Sequence, residues 1–284
     1  MMQLNQNQTE SIELIPGIGF GFSAVDGWLP LVEQPLLILV GLTGVGKSTL
    51  VKALSDTQLN FTLLPNRRTL TDRFIIPTVR QIDGVVTDDD LTCRVTRFSY
   101  TRRYKQLFPE GMVYVLSQLQ INPERLCFPL LFDGLRGKLE VKYASELLPN
   151  SQFIVLEAPN SVRLERLLTR QDSFDRIGQS SPIACNNDTQ KISSLAELGL
   201  PEAVNFFSPE ETTRILTQIN QGDYSIAEVR DRLKIIVEEQ KNYDPLAARS
   251  VLELLPTHRT LFIDTTLNSP ESIAQKIKSS FLAN

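Results

Sequence analysis

The sequence has little of the chemistry that builds disulfide frameworks or zinc sites. It holds one histidine and three cysteines in 284 residues. Cys93, Cys127 and Cys185 are far apart and form no C-x-x-C pair, whereas zinc sites and disulfide scaffolds use closely spaced ligands. We therefore expect buried or incidental thiols and no zinc centre.

The chain also lacks a basic surplus and a long apolar run. Its net charge of −4 provides no general attraction for nucleic acid or anionic membranes, so any polyanion must meet a local basic patch. No run approaches the roughly 20 apolar residues of a membrane span. The N-terminal stretch MMQLNQNQTESIEL has neither the basic start nor the apolar core of a signal peptide. We expect a cytoplasmic protein with no membrane partner, and nucleic acid is disfavoured as a ligand.

What the chain does contain is the octet GLTGVGKS, from Gly41 to Ser48, directly after an apolar run at 36–40. It satisfies the pattern G-x-x-x-x-G-K-[ST] in full, which chance would produce in roughly one chain of this length in a hundred. A glycine-rich turn with a stray lysine is the alternative, but the strand-like run before the octet and the helical pattern after it favour a phosphate-binding loop.

Such a loop binds a nucleoside triphosphate through converging backbone N–H groups. Lys47 reaches the outer phosphates, and the Ser48 hydroxyl is placed to hold Mg²⁺. The predicted ligands are therefore ATP and Mg²⁺, and the predicted binding residues are Gly41, Thr43, Gly44, Val45, Gly46, Lys47, Ser48 and Thr49.

Short apolar runs alternate with longer amphipathic ones along the chain, which predicts βαβ units with right-handed crossovers. The expected fold is a three-layer α/β arrangement around a doubly wound, parallel, five-stranded sheet. Strands are predicted at 36–40, 61–64, 128–132, 153–156 and 260–263, and helices at 47–55, 101–119, 139–147, 161–169 and 270–281.

Two segments interrupt this alternation. One is the arginine-rich stretch 65–100, and the other is 171–256, which contains predicted helices at 209–220 and 226–242. Insertions after the carboxyl ends of strands overhang the ligand crevice of an open α/β sheet. We therefore divide the chain into an N-terminal extension (1–34), a core (35–170 and 257–284) that includes an acceptor-side insertion (65–100), and a helical lid-like insertion (171–256), where a protein partner could bind.

A second chemical signal is the segment PLLFDGLRG at 129–137, an apolar strand followed by an acid. Enzymes with a phosphate loop place a carboxylate near Mg²⁺ in this way, usually through a coordinated water. Asp133 therefore joins Ser48 in the predicted metal shell.

Three segments resemble adenylate kinase and related nucleoside monophosphate kinases among the P-loop NTPases. LLFDGLRG is similar to the family's D-G-F-P-R segment, with Arg136 one position early. FIVLEAPNSVRLERLLTR, at 153–170, resembles the family's fourth strand and the helix that leads into its lid. TLFIDTTLNSPESIAQKI, at 260–277, resembles its last strand and C-terminal helix.

This resemblance implies a kinase that transfers the γ-phosphoryl group of ATP to a small acceptor, bound between the sheet and the segment 65–100. It also implies that Arg136 contacts the acceptor's phosphate and that Arg170 and Arg176 clamp the transferring group. The implied catalytic set is Lys47, Asp133, Arg136, Arg170 and Arg176. The arginines could instead belong to solvated salt bridges.

Several alternatives stay open on the sequence. A regulatory ATPase or GTPase could signal to a protein through the helices at 209–242. Asp72 could orient a hydroxyl acceptor as a base, or simply pair with Arg68 or Arg73. The basic and aromatic cluster at 97–104 could bind single-stranded nucleic acid, face an anionic acceptor, or form a solvated basic surface. The acceptor side carries NRRTLTDR at 66–73 in place of a recognisable nucleoside monophosphate pocket, so the acceptor is not named.

Overall fold

The computed structural model describes residues 11–22, 25–85, 94–170 and 191–281. In chain order, its strands and helices are β1 (Ile12–Ile15), β2 (Ile18–Phe20), β3 (Leu29–Pro30), β4 (Leu36–Val40), α1 (Lys47–Asp56), β5 (Thr62–Leu63), α2 (Arg67–Leu70), α3 (Ile76–Asp83), α4 (Arg94–Leu107), α5 (Met112–Ser117), β6 (Gln120–Ile121), β7 (Leu130–Leu135), α6 (Lys138–Leu147), β8 (Ser151–Glu157), α7 (Asn160–Thr169), α8 (Pro209–Gln221), α9 (Ile226–Asn242), α10 (Pro245–Glu253), β9 (Thr260–Asp264) and α11 (Pro270–Phe281).

The central sheet has the strand order β5-β7-β4-β8-β9, and all of its strand pairs are parallel. All five residues of β4, LLILV, are buried. A strand that is apolar on both faces needs helices on both faces of its sheet. The predicted three-layer, doubly wound fold with five parallel strands is therefore confirmed.

The two faces of the sheet bury separate hydrophobic clusters. Because side chains alternate along a strand, Leu36, Ile38 and Val40 of β4 join one cluster, whose α-helical members lie on α2, α3, α4, α5, α6 and α10. Leu37 and Leu39 join the other, together with residues of α1 and α11. The phosphate loop leaves the sheet between these two layers.

The prediction of a single helix at 101–119 is wrong. The structure has two helices there, α4 and α5, separated by residues 108–111. Pro109 cannot continue a helix because it lacks an N–H and clashes with the preceding turn. Gly111 precedes the second helix with φ +58°, a positive value that favours glycine.

Strand β7 extends beyond its predicted end at residue 132 and includes Asp133. Its register with β4 pairs Leu39 with Asp133 and Val40 with Leu135, so Gly134 forms a bulge. The N–H of Gly41 donates to the carbonyl of Leu135 at 3.0 Å and continues the ladder into the loop. The bulge thus brings the acid to the edge of the sheet beside the phosphate loop.

A small antiparallel sheet in the order β1-β2-β6-β3 was not predicted from the sequence. Its strands have only two to four residues, too few for a reliable alternating pattern. Ile18 and Ile121 of this sheet are fully buried in the same cluster as one face of β4. The N-terminal segment therefore packs directly on the core.

Helices α8 and α9 and residues 192–207 share a third hydrophobic cluster with α7. The predicted helices at 209–220 and 226–242 are confirmed as α8 and α9. Each begins with a capping box, on Ser208 and Ser225 respectively, and Gly222 ends α8 with φ +82°. The following helix, α10, packs against α6. In the described ranges, no helix combines the length and apolar character that crossing a bilayer requires.

We predict that Phe153→Ala in β8 lowers the free energy of unfolding by about 3–5 kcal/mol, because it opens a cavity at a fully buried position of the sheet. Denaturant unfolding measures this change. Leu254→Ala is the control because Leu254 is 86% exposed, and it should shift stability by less than about 0.5 kcal/mol. Equal effects of the two substitutions would contradict the placement of Phe153 in the core.

Candidate phosphate site

The phosphate loop lies between β4 and α1, and two of its glycines have a backbone conformation that favours glycine. Gly44 has φ +86°, and a Cβ added there would lie 2.9 Å from the carbonyl oxygen of Arg163. Gly46 has φ +98° and caps the N-terminus of α1. Positive φ favours glycine at both positions, and at Gly44 the close approach of backbone to backbone also leaves no room for a side chain. The loop therefore bends so that the N-terminus of α1 faces the cavity.

That cavity has a volume of about 680 Å³. It is bounded by the phosphate loop, α2, the end of β7, α7 and the loop between β9 and α11. Most of the predicted site residues that the structure describes line it, namely Thr43, Gly44, Gly46, Lys47, Ser48, Thr49, Asp133, Arg136 and Arg170.

Two of the predicted site residues that the structure describes, Gly41 and Val45, do not line this cavity. The Val45 side chain is 3% exposed and packs in the core beneath the loop. Gly41 lies against β8, where a Cβ would be 2.6 Å from the carbonyl oxygen of Leu156. Arg176 lies outside the described residues. The roles of the predicted site residues stay predictions.

The cavity is strongly basic although the chain as a whole is acidic. Among the described residues that line it, six are basic and one, Asp133, is acidic. Planar guanidinium groups bind phosphate oxygens in pairs, and a concave basic surface concentrates anions. This is the local basic patch that the net charge of −4 requires. The basic residues are Lys47, Arg67, Arg68, Arg136, Arg166 and Arg170.

Lys47 is buried at the base of the cavity. Its Nζ donates to the carbonyls of Gly41 and Leu42, at 2.8 and 3.0 Å, and lies 4.0 Å from Oδ1 of Asp133. Burial lowers the pKa of Lys47 to about 8, with Asp133 opposing the shift and Arg136 adding to it. The charged ammonium is therefore unfavourable in this buried position, and a bound phosphate would stabilise it.

The residues present fit a magnesium ion. The Asp133 carboxylate has a buried Oδ1 without a hydrogen-bond partner in the described structure, and the Ser48 hydroxyl lines the same cavity. Carboxylate and hydroxyl oxygens are ligands that Mg²⁺ accepts, and it commonly takes the rest from phosphates and water. Within the described ranges no group of three or more His, Cys, Asp and Glu side chains could hold a metal.

Arg67 lines the cavity and is held in place by a buried carboxylate. Its guanidinium binds Glu140 through two hydrogen bonds of 2.6 and 2.9 Å and the carbonyl of Gly134 at 2.8 Å. Burial would raise the pKa of Glu140, but Arg67 and Lys105 lower it below its ordinary value. The carboxylate is therefore charged and fixes one edge of the cavity.

Helix α7 supplies two arginines, Arg163 and Arg166, that were not predicted as site residues from the sequence. Arg166 donates to the carbonyl of Gly44 at 3.2 Å and to Thr265, and it lines the cavity together with Arg170. Arg163 is 1% exposed and binds the carbonyl of Thr43 at 2.8 Å. Residues spaced by three and four lie on one face of a helix. That spacing could have indicated all three.

Glu239 was missed because nothing near it in the sequence marks it. It lies on α9, is fully buried, and binds Arg136 and Arg163 at 2.5 and 2.6 Å. Arg136, which the family resemblance assigns to the acceptor, therefore lines the cavity as one partner of an ion pair.

On the acceptor side, Asp72 pairs with Arg97 at 2.6 Å, not with Arg68 or Arg73, and it is not among the residues that line the cavity. Tyr100 and Tyr104 are buried in the core, so their rings cannot stack on bases. Arg103 pairs with Asp83 at 2.7 Å.

The family model for the AAA domain matches residues 37–192, more than half of the chain. The chain belongs to this family. It is a P-loop NTPase of the nucleoside monophosphate kinase type, with a nucleotide-binding site of kinase-like character, as the sequence resemblance implied.

Two solved structures are similar to the chain. TT1252 from Thermus thermophilus has 15% identity and a TM-score of 0.42, with 87% of this chain and 95% of that chain covered. A candidate kinase from Chloroflexus aurantiacus has 17% identity and a TM-score of 0.33, with 87% and 98% covered. Neither likeness is close enough to bear on function. No curated protein matches the chain.

We predict that the affinity for ATP with magnesium falls as pH rises through the pKa of Lys47, which is about 8. The lysine binds phosphate only when protonated, and its protonated fraction falls from about nine-tenths at pH 7 to about one-tenth at pH 9. Calorimetric titration should show a dissociation constant about tenfold larger at pH 9. Lys47→Met should bind weakly at both pH values. A wild-type constant that does not change would contradict the prediction.

Proposed function

We propose that the protein transfers the γ-phosphoryl group of ATP to a small acceptor. The observation that carries this proposal is the convergence of a phosphate loop and six basic side chains from separate elements on one cavity. Phosphoryl transfer is catalysed mostly by positioning and by stabilising charge on the phosphoryl oxygens. Those are the tasks that such a cavity can perform.

The donor end of the cavity is the phosphate loop. Its N–H groups and the N-terminus of α1 are placed to bind the phosphates, and Lys47 adds a charge beside them. Arg166, between Gly44 and Thr265, is placed on the nucleotide side. Ser48 and Asp133 would hold Mg²⁺, which neutralises phosphate charge when bound.

The acceptor end is formed by the start of α2, where Asn66, Arg67 and Arg68 line the cavity. Here an acceptor oxygen would attack the γ-phosphorus as the bond to the bridging oxygen of ADP breaks. A hydroxyl acceptor would also pass its proton to a water molecule, whereas an ionised phosphate oxygen has no proton to lose. Arg136 would bind an anionic acceptor, and Arg170 would stabilise the transferring group. Because Asp72 is paired with Arg97, it is a poor candidate for the base.

A regulatory ATPase or GTPase is the second candidate. It is favoured by one observation, the contact between the phosphate loop and α9 of the helical insertion through Glu239 and Thr43. Such a protein would signal nucleotide state to a partner bound at the insertion.

An assay of ADP release separates the two functions. A kinase should release ADP faster in the presence of an acceptor from a panel of nucleoside monophosphates, sugars and hydroxy acids. The phosphorylated acceptor should appear in equal amount, which ³¹P NMR can follow. ATP binding without any effect of the panel, combined with stimulation by a protein, would favour the regulatory function.

We predict that Asp133→Asn lowers magnesium-dependent turnover by about 100-fold to 1,000-fold, because it removes charge stabilisation at the phosphates. Asp223→Asn is the matched control, since Asp223 lies in the exposed turn after α8. Circular dichroism should show both variants folded. If Asp133→Asn unfolded the protein, its role would be structural instead.

Lys47→Ala should abolish tight ATP binding and leave the fold intact, because it removes the ammonium that faces the phosphates. Lys52→Ala, at an exposed position on the same helix, should bind as the wild type does. Calorimetry measures both affinities. Unchanged affinity of Lys47→Ala would contradict the proposed phosphate site.

A further inference from the structure

Glu239 is a fully buried carboxylate that lies behind the cavity and does not line it. Both of its oxygens are occupied. Oε1 accepts from the Thr43 hydroxyl and from Arg136, each at 2.5 Å. Oε2 accepts from the Thr43 N–H at 3.0 Å and from Arg163 at 2.6 Å. Helix α9 is thereby joined to the phosphate loop and to two arginines.

The ion pair of Glu239 and Arg163 holds both polar groups of the Thr43 backbone. The N–H of Thr43 donates to Glu239, and its carbonyl accepts from Nε of Arg163 at 2.8 Å. Arg163 is fixed in turn by Asn160 at 2.7 Å. The next residue, Gly44, lies against the backbone of Arg163. These contacts therefore hold the phosphate loop at Thr43 and Gly44 through residues that do not line the cavity.

The same end of α9 also contacts the arginines of the cavity through Tyr243. Its hydroxyl accepts from Arg67 at 3.2 Å, and its ring centroid lies 5.9 Å from the guanidinium carbon of Arg136. Glu239 and Tyr243 are four residues apart, so they project from successive turns. One short segment around the end of α9 thus contacts two arginines that line the cavity.

A buried ion pair of this kind is weak support for stability on its own. Removing two charges from water costs several kcal/mol for each, and apolar residues of similar volume often stabilise a protein as well or better. The contacts of Glu239 to Thr43 and Arg136 indicate that the pair orders the phosphate site. Fixed groups around a site lower the cost of ordering it when a ligand binds.

We propose that Glu239 is a positioning residue of the phosphate site, which acts on the nucleotide through Thr43 and Arg136. This inference rests on the proposed function, because it concerns the same cavity. Glu239 does not touch the ligand. It sets the conformation of the loop before the triphosphate arrives and keeps Arg136 directed at the cavity.

The test compares Glu239→Gln with Glu238→Gln in the 284-residue chain. The two substitutions are chemically identical and adjacent on α9, but the Glu238 side chain is 30% exposed and pairs with Lys241. Calorimetric titration with ATP and magnesium should give a dissociation constant at least about tenfold larger for Glu239→Gln, a common size for the loss of a supporting residue. Glu238→Gln should bind as the wild type does.

Because Glu239→Gln leaves Arg163 without its counter-charge, it could destabilise the fold. The double variant Arg163→Met with Glu239→Met removes both buried charges and keeps the volume. It should unfold at a midpoint near that of the wild type, yet bind ATP at least about tenfold more weakly. A purely structural role for the pair predicts wild-type affinity whenever the fold is restored.

The outcomes separate the two proposals. If the wild type gives no heat with ATP and magnesium, the proposed function fails. If the wild type binds but the folded double variant binds equally well, the positioning role of Glu239 is overturned and the proposed function stands. Weakened binding in a double variant of native stability supports the inference.

Discussion

The structure depends on buried carboxylates that do not line the basic cavity but neutralise the arginines that do. Six basic side chains that face one space repel each other when no anion is bound. Two buried glutamates counter this repulsion. Glu140, at the start of α6, binds Arg67, and Glu239, on α9, binds Arg136 and Arg163. Each carboxylate is held on the far side of its arginines, so the guanidinium groups that line the cavity stay directed toward a ligand.

The buried ion pairs of Glu239 explain the position of α9 against the phosphate loop. The cluster of α7, α8 and α9 has its own apolar interior, and it could pack in several ways if only hydrophobic contacts mattered. A buried carboxylate that accepts from Thr43, Arg136 and Arg163 favours the packing that keeps these groups paired, because unpaired charges are costly in a low dielectric. Polar contacts therefore fix the position of α9 against the phosphate loop.

The parts of the fold that the sequence predicted are those with strong local signals. These signals are the octet that begins at Gly41, the apolar runs of β4 and β8, and the capping residues of α8 and α9. Each is a pattern formed by residues close together in the sequence. The helix predicted at 101–119 was wrong because its amphipathic pattern was given more weight than Pro109 and Gly111. The antiparallel sheet of β1, β2, β3 and β6 was missed because strands so short have no period to read.

The sequence by itself determined the phosphate loop, the parallel sheet and the acid at Asp133, since each is a local pattern joined to a general chemical need. Only the tertiary structure decided which charges meet. Glu239 lies 196 residues from Thr43 along the chain, and no periodicity links two such positions. Their contact arises because α7 and α9 pack together, which brings the carboxylate against the loop. The location of a supporting residue is a property of packing, and packing is decided by the whole chain.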